Sequence, residues 1–231
     1  MQPESDPDAP WVSELAAVSA ARSIGAIRDG QAEKGLFRQL DQMHREEGRG
    51  SYIEIDAPIE LYALVRLLRP RHVVEVGVSS GVSSAYFLRA LERNERGTLH
   101  SVDLPKPDTR SAASRRNPSW SIPPGRSSGW AVPFRLRKRW DLRIGDKKEV
   151  LPLLAEELGE IDLFLYDVPH SDPRAFREFS FIDRRFHSGS VALVDHGGTQ
   201  EICPSLRRWA VRRAAAPIRR ERLGLSAFRC P

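Results

Sequence analysis

Acidic and histidine side chains recur at five places in this sequence, each within or directly after a short apolar run. The five places are Glu75–Gly77, Asp103, Gly145–Asp146, Asp167–His170 and Asp195–His196. Carboxylates accept hydrogen bonds from ligand hydroxyls or bind cations, and a histidine with its ordinary pKa of roughly 6.5 takes up a proton near neutrality. These residue types predict a site that binds a polar ligand and can remove a proton from it.

The elements that carry these residues alternate between strands and helices. Apolar, β-branched runs predict strands over 72–77, 99–103, 142–145, 161–167 and 190–195, followed by two short strands around Gly224. Helices are predicted over 59–68, over 82–94, from Asp146 to Gly159, from Asp172 onward and over 204–215. This alternation predicts an α/β fold: a doubly wound, mostly parallel seven-stranded sheet with helices on both faces. The carboxyl ends of its strands meet at one ligand-binding edge.

The composition excludes several classes of protein. The chain has 231 residues, of which 40% are hydrophobic and 29% charged, as in an ordinary globular protein. No apolar run approaches the roughly 20 residues of a membrane helix, so no membrane partner is predicted. The two cysteines make neither a disulfide framework nor a metal cluster, and the acidic, proline-rich start does not resemble a secretion signal. A cytoplasmic location is therefore predicted.

One segment interrupts the pattern between the second and third predicted strands. Residues 105–141 are rich in proline, tryptophan and basic side chains. A loop of this length inside a compact domain is usually functional or disordered. Since the segment leaves the sheet at the ligand edge, we predict a lid that contacts an aromatic or anionic acceptor. A nucleic-acid surface and a solvated insertion are the alternatives.

The turn after the first predicted strand contains Gly77, Ser79 and Gly81 and opens a helix. Glycine permits positive φ and a close approach of the backbone to a ligand, and the N–H groups at a helix N-terminus attract polar or negative ligand atoms. The dinucleotide fingerprint Gly-x-Gly-x-x-Gly and the Walker phosphate loop are both absent. Taken alone, the turn is equally compatible with an ordinary tight connection between a strand and a helix.

Three stretches of the sequence resemble one family. They are EVGVSSGVSS at 75–84, LPLLAEELGEIDLFLYDVPH at 151–170 and SGSVALVD at 188–195. With Asp103 and Asp146 after neighbouring strands, they are similar to class I S-adenosylmethionine-dependent methyltransferases, in particular to bacterial relatives of the catechol and caffeoyl-CoA O-methyltransferases. The resemblance covers residues 55–200 approximately. It implies a Rossmann-like fold and S-adenosylmethionine as the cofactor.

The resemblance also implies which residues bind the cofactor. They are Glu75, Gly77, Ser79, Gly81, Asp103, Asp146 and Asp167. The glycine turn would wrap the methionine moiety, with Glu75 facing its amino end. Asp103 would accept hydrogen bonds from the ribose hydroxyls, and Asp146 would lie at the adenine. Ordinary structural roles stay open for both of these aspartates, as a turn residue and as a helix cap respectively.

An oxygen acceptor needs a base or a metal ion to become a good nucleophile. We predict that His170 is the base, with Asp167 as the second catalytic residue. The alternative is a divalent metal ion held by Asp167, Asp195 and His196, since the metal-using branch of the family places carboxylates after the fourth and fifth strands. Histidine is a poor ligand for Mg²⁺, which prefers oxygen, so the base is favoured over the metal.

The resemblance therefore implies a methyltransferase that acts on the oxygen of a small-molecule acceptor in bacterial specialised metabolism. Its domain would span residues 31–231 with a lid insertion at 105–141, after an N-terminal tail and helical lead-in over 1–30. An RNA methyltransferase is one alternative, suggested by the net charge of +5 and the pI near 9.5. A non-catalytic, cofactor-binding Rossmann-like protein is another. Nucleic acid is the less favoured partner, and a homo-oligomer is left open.

Overall fold

A computed structural model describes residues 10–46, 58–104, 122, 125–167, 172–195, 204–215, 218–220 and 225–231. Its helices are α1 (Pro10–Ala16), α2 (Ala20–Ala32), α3 (Lys34–Glu46), α4 (Pro58–Leu68), α5 (Val82–Asn94), α6 (Lys147–Leu158), α7 (Asp172–Ile182) and α8 (Pro204–Arg212), with 3₁₀ helices at Phe134–Arg139 and Asp183–Arg185. Its strands are β1 (His72–Val76), β2 (Thr98–Asp103), β3 (Trp140–Ile144), β4 (Ile161–Tyr166), β5 (Phe186–Asp195), β6 (Ile218–Arg220) and β7 (Leu225–Arg229). Among these helices, none combines the length and the apolar character needed to cross a membrane.

The described strands form one seven-stranded sheet in the order β3-β2-β1-β4-β5-β7-β6. Strands β1 to β5 pair in parallel, whereas β7 runs antiparallel to both β5 and β6. Helices α5, α6 and α7 lie on the crossovers from β1 to β2, β3 to β4 and β4 to β5. The predicted doubly wound, mostly parallel fold is confirmed.

Side chains of the strands alternate between two apolar cores, one on each face of the sheet. Val73 and Leu163 point to the core that includes residues of α1, α2, α4 and α5. Val74 and Phe164 point to the core that includes residues of α6, α7 and α8. Because helices cover both faces, the candidate residues are left at the carboxyl ends of the strands.

The N-terminal helices pack on the same domain. Trp11 and Leu15 of α1 and Ile27 of α2 are buried in the first core. The Arg229 guanidinium of β7 also donates a hydrogen bond to the Leu15 carbonyl at 2.8 Å. The helical lead-in thus rests on the sheet, and the predicted domain boundary at residue 30 stays a prediction.

Several predicted boundaries differ in the structure, and helix α8, for example, ends at Arg212 rather than at residue 215. Strand β5 begins at Phe186 rather than at residue 190, because Phe186 pairs with Ile161 before a shift in the register of β4 and β5. Strand β3 begins at Trp140 rather than at residue 142, so residues 140 and 141 of the predicted insertion belong to the strand. Of the insertion, 105–121 and 123–124 lie outside the described residues, and its function as a lid stays a prediction.

A buried carboxylate joins β1, β2 and α5 just below the carboxyl edge of the sheet. Glu75 is fully buried and accepts hydrogen bonds from the hydroxyls of Ser83 at 2.5 Å, Ser84 at 2.6 Å and Ser101 at 2.7 Å. Ser83 and Ser84 lie in the first turn of α5, so these bonds hold the start of that helix. Burial raises the pKa of Glu75 to about 7, although the three hydroxyl bonds act in the opposite direction.

A second buried polar cluster lies below the ends of β3 and β4. The Lys147 ammonium is 2.8 Å from Glu178 Oε2 and 3.3 Å from the Tyr166 hydroxyl, which itself donates to Glu178. The Glu178 side chain is only 2% exposed. Tyr166 directly precedes Asp167, and α7, which carries Glu178, begins at Asp172. The cluster therefore anchors β4 and α7, the elements before and after residues 168–171.

We expect Glu75 to make the protein less stable as the pH rises from about 4.5 to about 7. In the unfolded chain the carboxyl group ionises near its ordinary pKa of 4.5, whereas in the folded protein it keeps its proton to about pH 7. Unfolding therefore releases a proton in this window, and the free energy of unfolding falls by about 3 kcal/mol across it. Urea unfolding at a series of pH values measures this slope.

The control for this measurement is Glu75→Gln, which has nearly the same shape and no charge. Its amide oxygen accepts hydroxyl bonds, and its amide nitrogen donates to a hydroxyl oxygen. We expect the free energy of unfolding of this variant to depend less on pH over the same window. Equal slopes in the two proteins would mean that Glu75 does not titrate there.

Lys147→Met should destabilise the protein by about 3 kcal/mol, because it leaves the buried carboxylate of Glu178 without its cation. The matched control is Lys148→Met at the next residue. Lys148 is 53% exposed and its ammonium lies 3.9 Å from Asp146, so this change should cost less than about 1 kcal/mol. Denaturant unfolding measures both variants. Equal stability of the two would contradict the anchoring role of Lys147.

Candidate functional site

The glycine loop, residues 77–81 between β1 and α5, has a left-handed backbone at three positions. Gly77, Ser79 and Gly81 have φ values of 94°, 49° and 91°. Gly81 N donates to the Val78 carbonyl at 2.8 Å, and Gly81 is the N-cap of α5, where it offers no side chain. The first amides of α5 can therefore donate to polar or negative atoms of a ligand.

Asp103, at the end of β2, is bound to this loop through its carboxylate. Oδ2 accepts a hydrogen bond from Ser79 N at 3.2 Å, and Oδ1 accepts one from Leu104 N at 3.0 Å. Burial raises the pKa of Asp103 above its ordinary value, and these hydrogen bonds oppose that shift. A carboxylate has about four acceptor positions, so it can also receive ligand hydroxyls.

Asp146 follows β3 and caps α6. Its Oδ1 accepts a hydrogen bond from Lys148 N at 2.9 Å, and its side chain is 44% exposed. The structural role that the sequence left open for Asp146 is therefore present. A cap uses one carboxylate oxygen, and the predicted position of Asp146 at the adenine stays a prediction.

A segment that the sequence reasoning missed packs against the glycine loop. Within residues 125–133, Gly129 N donates to the Ser79 carbonyl at 2.8 Å and Ala131 N donates to the Ser80 carbonyl at 2.9 Å. This segment belongs to the predicted insertion. Its glycine was visible in the sequence, but no local pattern connects it with a turn that lies so far back in the chain.

The two aspartates on the acceptor side occupy neighbouring positions. Asp167 follows β4, and its N–H donates to the Val76 carbonyl at 2.9 Å. Asp195 is the last residue of β5. Because Tyr166 and Val194 are register partners on β4 and β5, the two aspartates come next along adjacent strands at the carboxyl edge.

The two candidate histidines, His170 and His196, lie outside the described residues, so the base and the metal site both stay predictions. Within the described ranges, no group of three or more His, Cys, Asp or Glu residues could hold a metal ion. That finding includes neither histidine. What the structure does bring together is the glycine loop, Asp103 and the 125–133 segment.

Solved structures of methyltransferases have the same fold. The chain is similar to the O-methyltransferase TomG from Streptomyces achromogenes in complex with SAM, with 20% identity and a TM-score of 0.54 over 85% of this chain and 89% of TomG. It is similar to an O-methyltransferase from Bacillus cereus in complex with SAH, with 16% identity and a TM-score of 0.53 over 84% and 90% of the two chains. SAH-bound PaMTH1 from Podospora anserina has 12% identity and a TM-score of 0.54 over 85% and 87%.

No curated protein matches the sequence. A family of domains does match it, over a range that includes the candidate site. Residues 74–196 match the family described as a methyltransferase domain. This range is more than half of the chain, and it runs from β1 through the glycine loop to the residue after β5. The chain therefore belongs to this family of methyltransferase domains.

Proposed function

We propose that this protein is an S-adenosylmethionine-dependent O-methyltransferase that acts on a small-molecule acceptor. The observation that carries the proposal is the contact between Asp103 and the glycine loop, which places a carboxylate beside the amides at the start of α5. Such a carboxylate can bind the ribose hydroxyls, and such amides can bind the carboxylate of the methionine moiety. Family membership, and the SAM or SAH bound in similar structures, support the same cofactor.

When bound, S-adenosylmethionine supplies an electrophilic methyl group on its sulfonium. We assign the glycine loop to its methionine moiety, Asp103 to its ribose and Asp146 to its adenine, with Asp167 at the border of the cofactor and the acceptor. Glu75 supports this site through the serines that begin α5. Its contact with the amino end of the cofactor stays a prediction.

On the acceptor side, residues of the chain must align the acceptor oxygen and remove its proton. We propose that His170 takes this proton and that Asp167, at the end of β4, is its catalytic partner. The alternative uses the same strand ends, with a divalent ion on Asp167, Asp195 and His196. The Lys147–Glu178 pair supports either arrangement, because it anchors β4 and α7, the elements before and after residues 168–171.

We also propose the kind of metabolism to which the acceptor belongs. TomG is involved in tomaymycin synthesis, which supports an acceptor from bacterial specialised metabolism for this chain as well. The lid function of the insertion, a cytoplasmic location and a homo-oligomer stay predictions.

Cofactor binding tests the assignment of Asp103. Asp103→Ala should weaken S-adenosylhomocysteine binding about 10- to 100-fold, because a hydrogen bond to a charged group contributes roughly 1.5–3 kcal/mol. Isothermal calorimetry on folded variants measures the loss. Glu160→Ala is the control, since Glu160 is exposed and precedes β4 at the opposite edge of the sheet, and it should keep wild-type affinity. Unchanged affinity in a folded Asp103→Ala protein would remove this carboxylate from the site.

Turnover distinguishes the base from the metal. The readout is S-adenosylhomocysteine formed from S-adenosylmethionine with a panel of phenols and alcohols. If His170 is the base, His170→Ala should lower the rate roughly 10²–10⁴-fold, and the wild-type rate should fall as the pH drops through the histidine pKa. A chelator should then have no effect. Loss of activity to a chelator, its recovery with a divalent cation and a fully active His170→Ala variant would favour the metal instead.

A further inference from the structure

Ser79, in the middle of the glycine loop, has a backbone conformation that a residue with a side chain rarely adopts. Its φ of 49° is left-handed, and there the Cβ atom of a residue other than glycine lies too close to the backbone. Such a residue keeps this conformation where its surroundings hold it. Ser79 N donates to Asp103 Oδ2 at 3.2 Å, and the Ser79 carbonyl accepts from Gly129 N at 2.8 Å. The contact of Ser79 with Asp103 therefore depends on the position of Gly129.

Gly129 is packed between the glycine loop and the ring of Trp140. A Cβ atom at Gly81 would lie 2.9 Å from Gly129 Cα, and a Cβ atom at Gly129 would lie 2.1 Å from Trp140 Cη2. Both distances are well below the roughly 3.5–4.0 Å at which carbon atoms pack, so only glycine fits at either position without a shift of its neighbours. The ring of Trp140 therefore limits how far Gly129 can move from the loop.

The Trp140 ring is itself held in place from several directions. It is half-buried against the first core, and its Nε1 donates to Ser101 Oγ at 2.9 Å. Ser101 in turn donates to the buried carboxylate of Glu75 at 2.7 Å. The Arg137 guanidinium lies over the ring, 5.7 Å from its centroid, and donates to the Gly129 carbonyl at 3.2 Å. An indole whose N–H is bonded and whose faces are packed is a rigid support for the backbone beside it.

We propose that Trp140 is a positioning residue of the cofactor site, whose ring keeps Gly129 against the glycine loop and so keeps Ser79 in its left-handed conformation. The inference rests on the proposed function, because it requires that the loop and Asp103 bind S-adenosylmethionine. Trp140 acts through Gly129 and needs no contact with the cofactor. Because the loop has its binding conformation before the cofactor arrives, less conformational entropy is lost on binding.

Trp140→Phe tests the proposal through the affinity for S-adenosylhomocysteine, measured by calorimetry. A phenyl ring is shorter than an indole and lacks the outer ring atoms that lie at Gly129. We expect the affinity to fall about three- to tenfold, because the ligand-free loop then samples other conformations. The matched control is Trp209→Phe. Trp209 packs in the core on the other face of the sheet, where its Nε1 donates to Asp183 Oδ1 at 2.6 Å, so this change should lower stability and leave the affinity unchanged.

A double-mutant cycle with Gly129→Ala separates support by the ring from a general weakening of the fold. In the wild-type background the new Cβ atom meets the Trp140 ring, and we expect the affinity to fall about tenfold. In the Trp140→Phe background it meets a shorter side chain, so the same change should weaken binding less than about threefold. Gly129 has a φ of 69°, so alanine is strained there in both backgrounds and this cost cancels in the cycle.

Hydrogen exchange of the Gly129 and Ala131 amides, which donate to the carbonyls of Ser79 and Ser80, gives an independent measure of the support. We expect both amides to exchange faster in ligand-free Trp140→Phe than in the ligand-free wild type. Wild-type affinity in a folded Trp140→Phe protein, equal losses from Gly129→Ala in both backgrounds, or unchanged exchange of the two amides would overturn the proposal. A wild-type protein that does not bind S-adenosylhomocysteine would overturn the proposed function itself.

Discussion

Three hydroxyl groups from two different elements converge on the buried carboxylate of Glu75, and the position of helix α5 depends on them. Burying this carboxyl group without hydrogen bonds would cost several kcal/mol of folding free energy. The serine hydroxyls must therefore lie within hydrogen-bond distance of it. Ser83 and Ser84 meet this requirement only when the first turn of α5 lies beside β1. With the end of β1 and the start of α5 both fixed, the short turn between them adopts positive φ at three residues.

The same constraint extends to the edge strand β3. Ser101 shares Glu75 with the two serines of α5 and accepts a hydrogen bond from Trp140 Nε1 at 2.9 Å. The Trp140 ring in turn lies against Gly129, where there is no space for a Cβ atom. The 125–133 segment is thus enclosed between β3 and the glycine loop. A site assembled from elements packed in this way is organised before its ligand arrives, which reduces the entropy lost on binding.

A different cluster supports the strand ends that we propose for the acceptor side. Lys147 and Glu178 form a buried ion pair that joins the first turn of α6 to α7 below the end of β4. A buried ion pair adds little stability compared with apolar packing of the same volume, but its geometry is demanding. The two halves of the site therefore meet at neighbouring strand ends while separate polar clusters hold them. Residues at the proposed acceptor side can therefore differ without disturbing the glycine loop.

Patterns among residues close together in the chain predicted many of the strands and helices of this protein. The apolar runs predicted β1 and β4 to within one residue, and Asp146 and Asp172 marked the starts of α6 and α7, because strand periodicity and helix caps are local. The glycine loop and Asp103 were recognisable for the same reason. The pairing of the 125–133 segment with the glycine loop was not, since the crossover from β2 to β3 brings them together only after the sheet has formed. Which segment covers the loop was therefore decided by tertiary packing, for which the sequence carries no periodic signal.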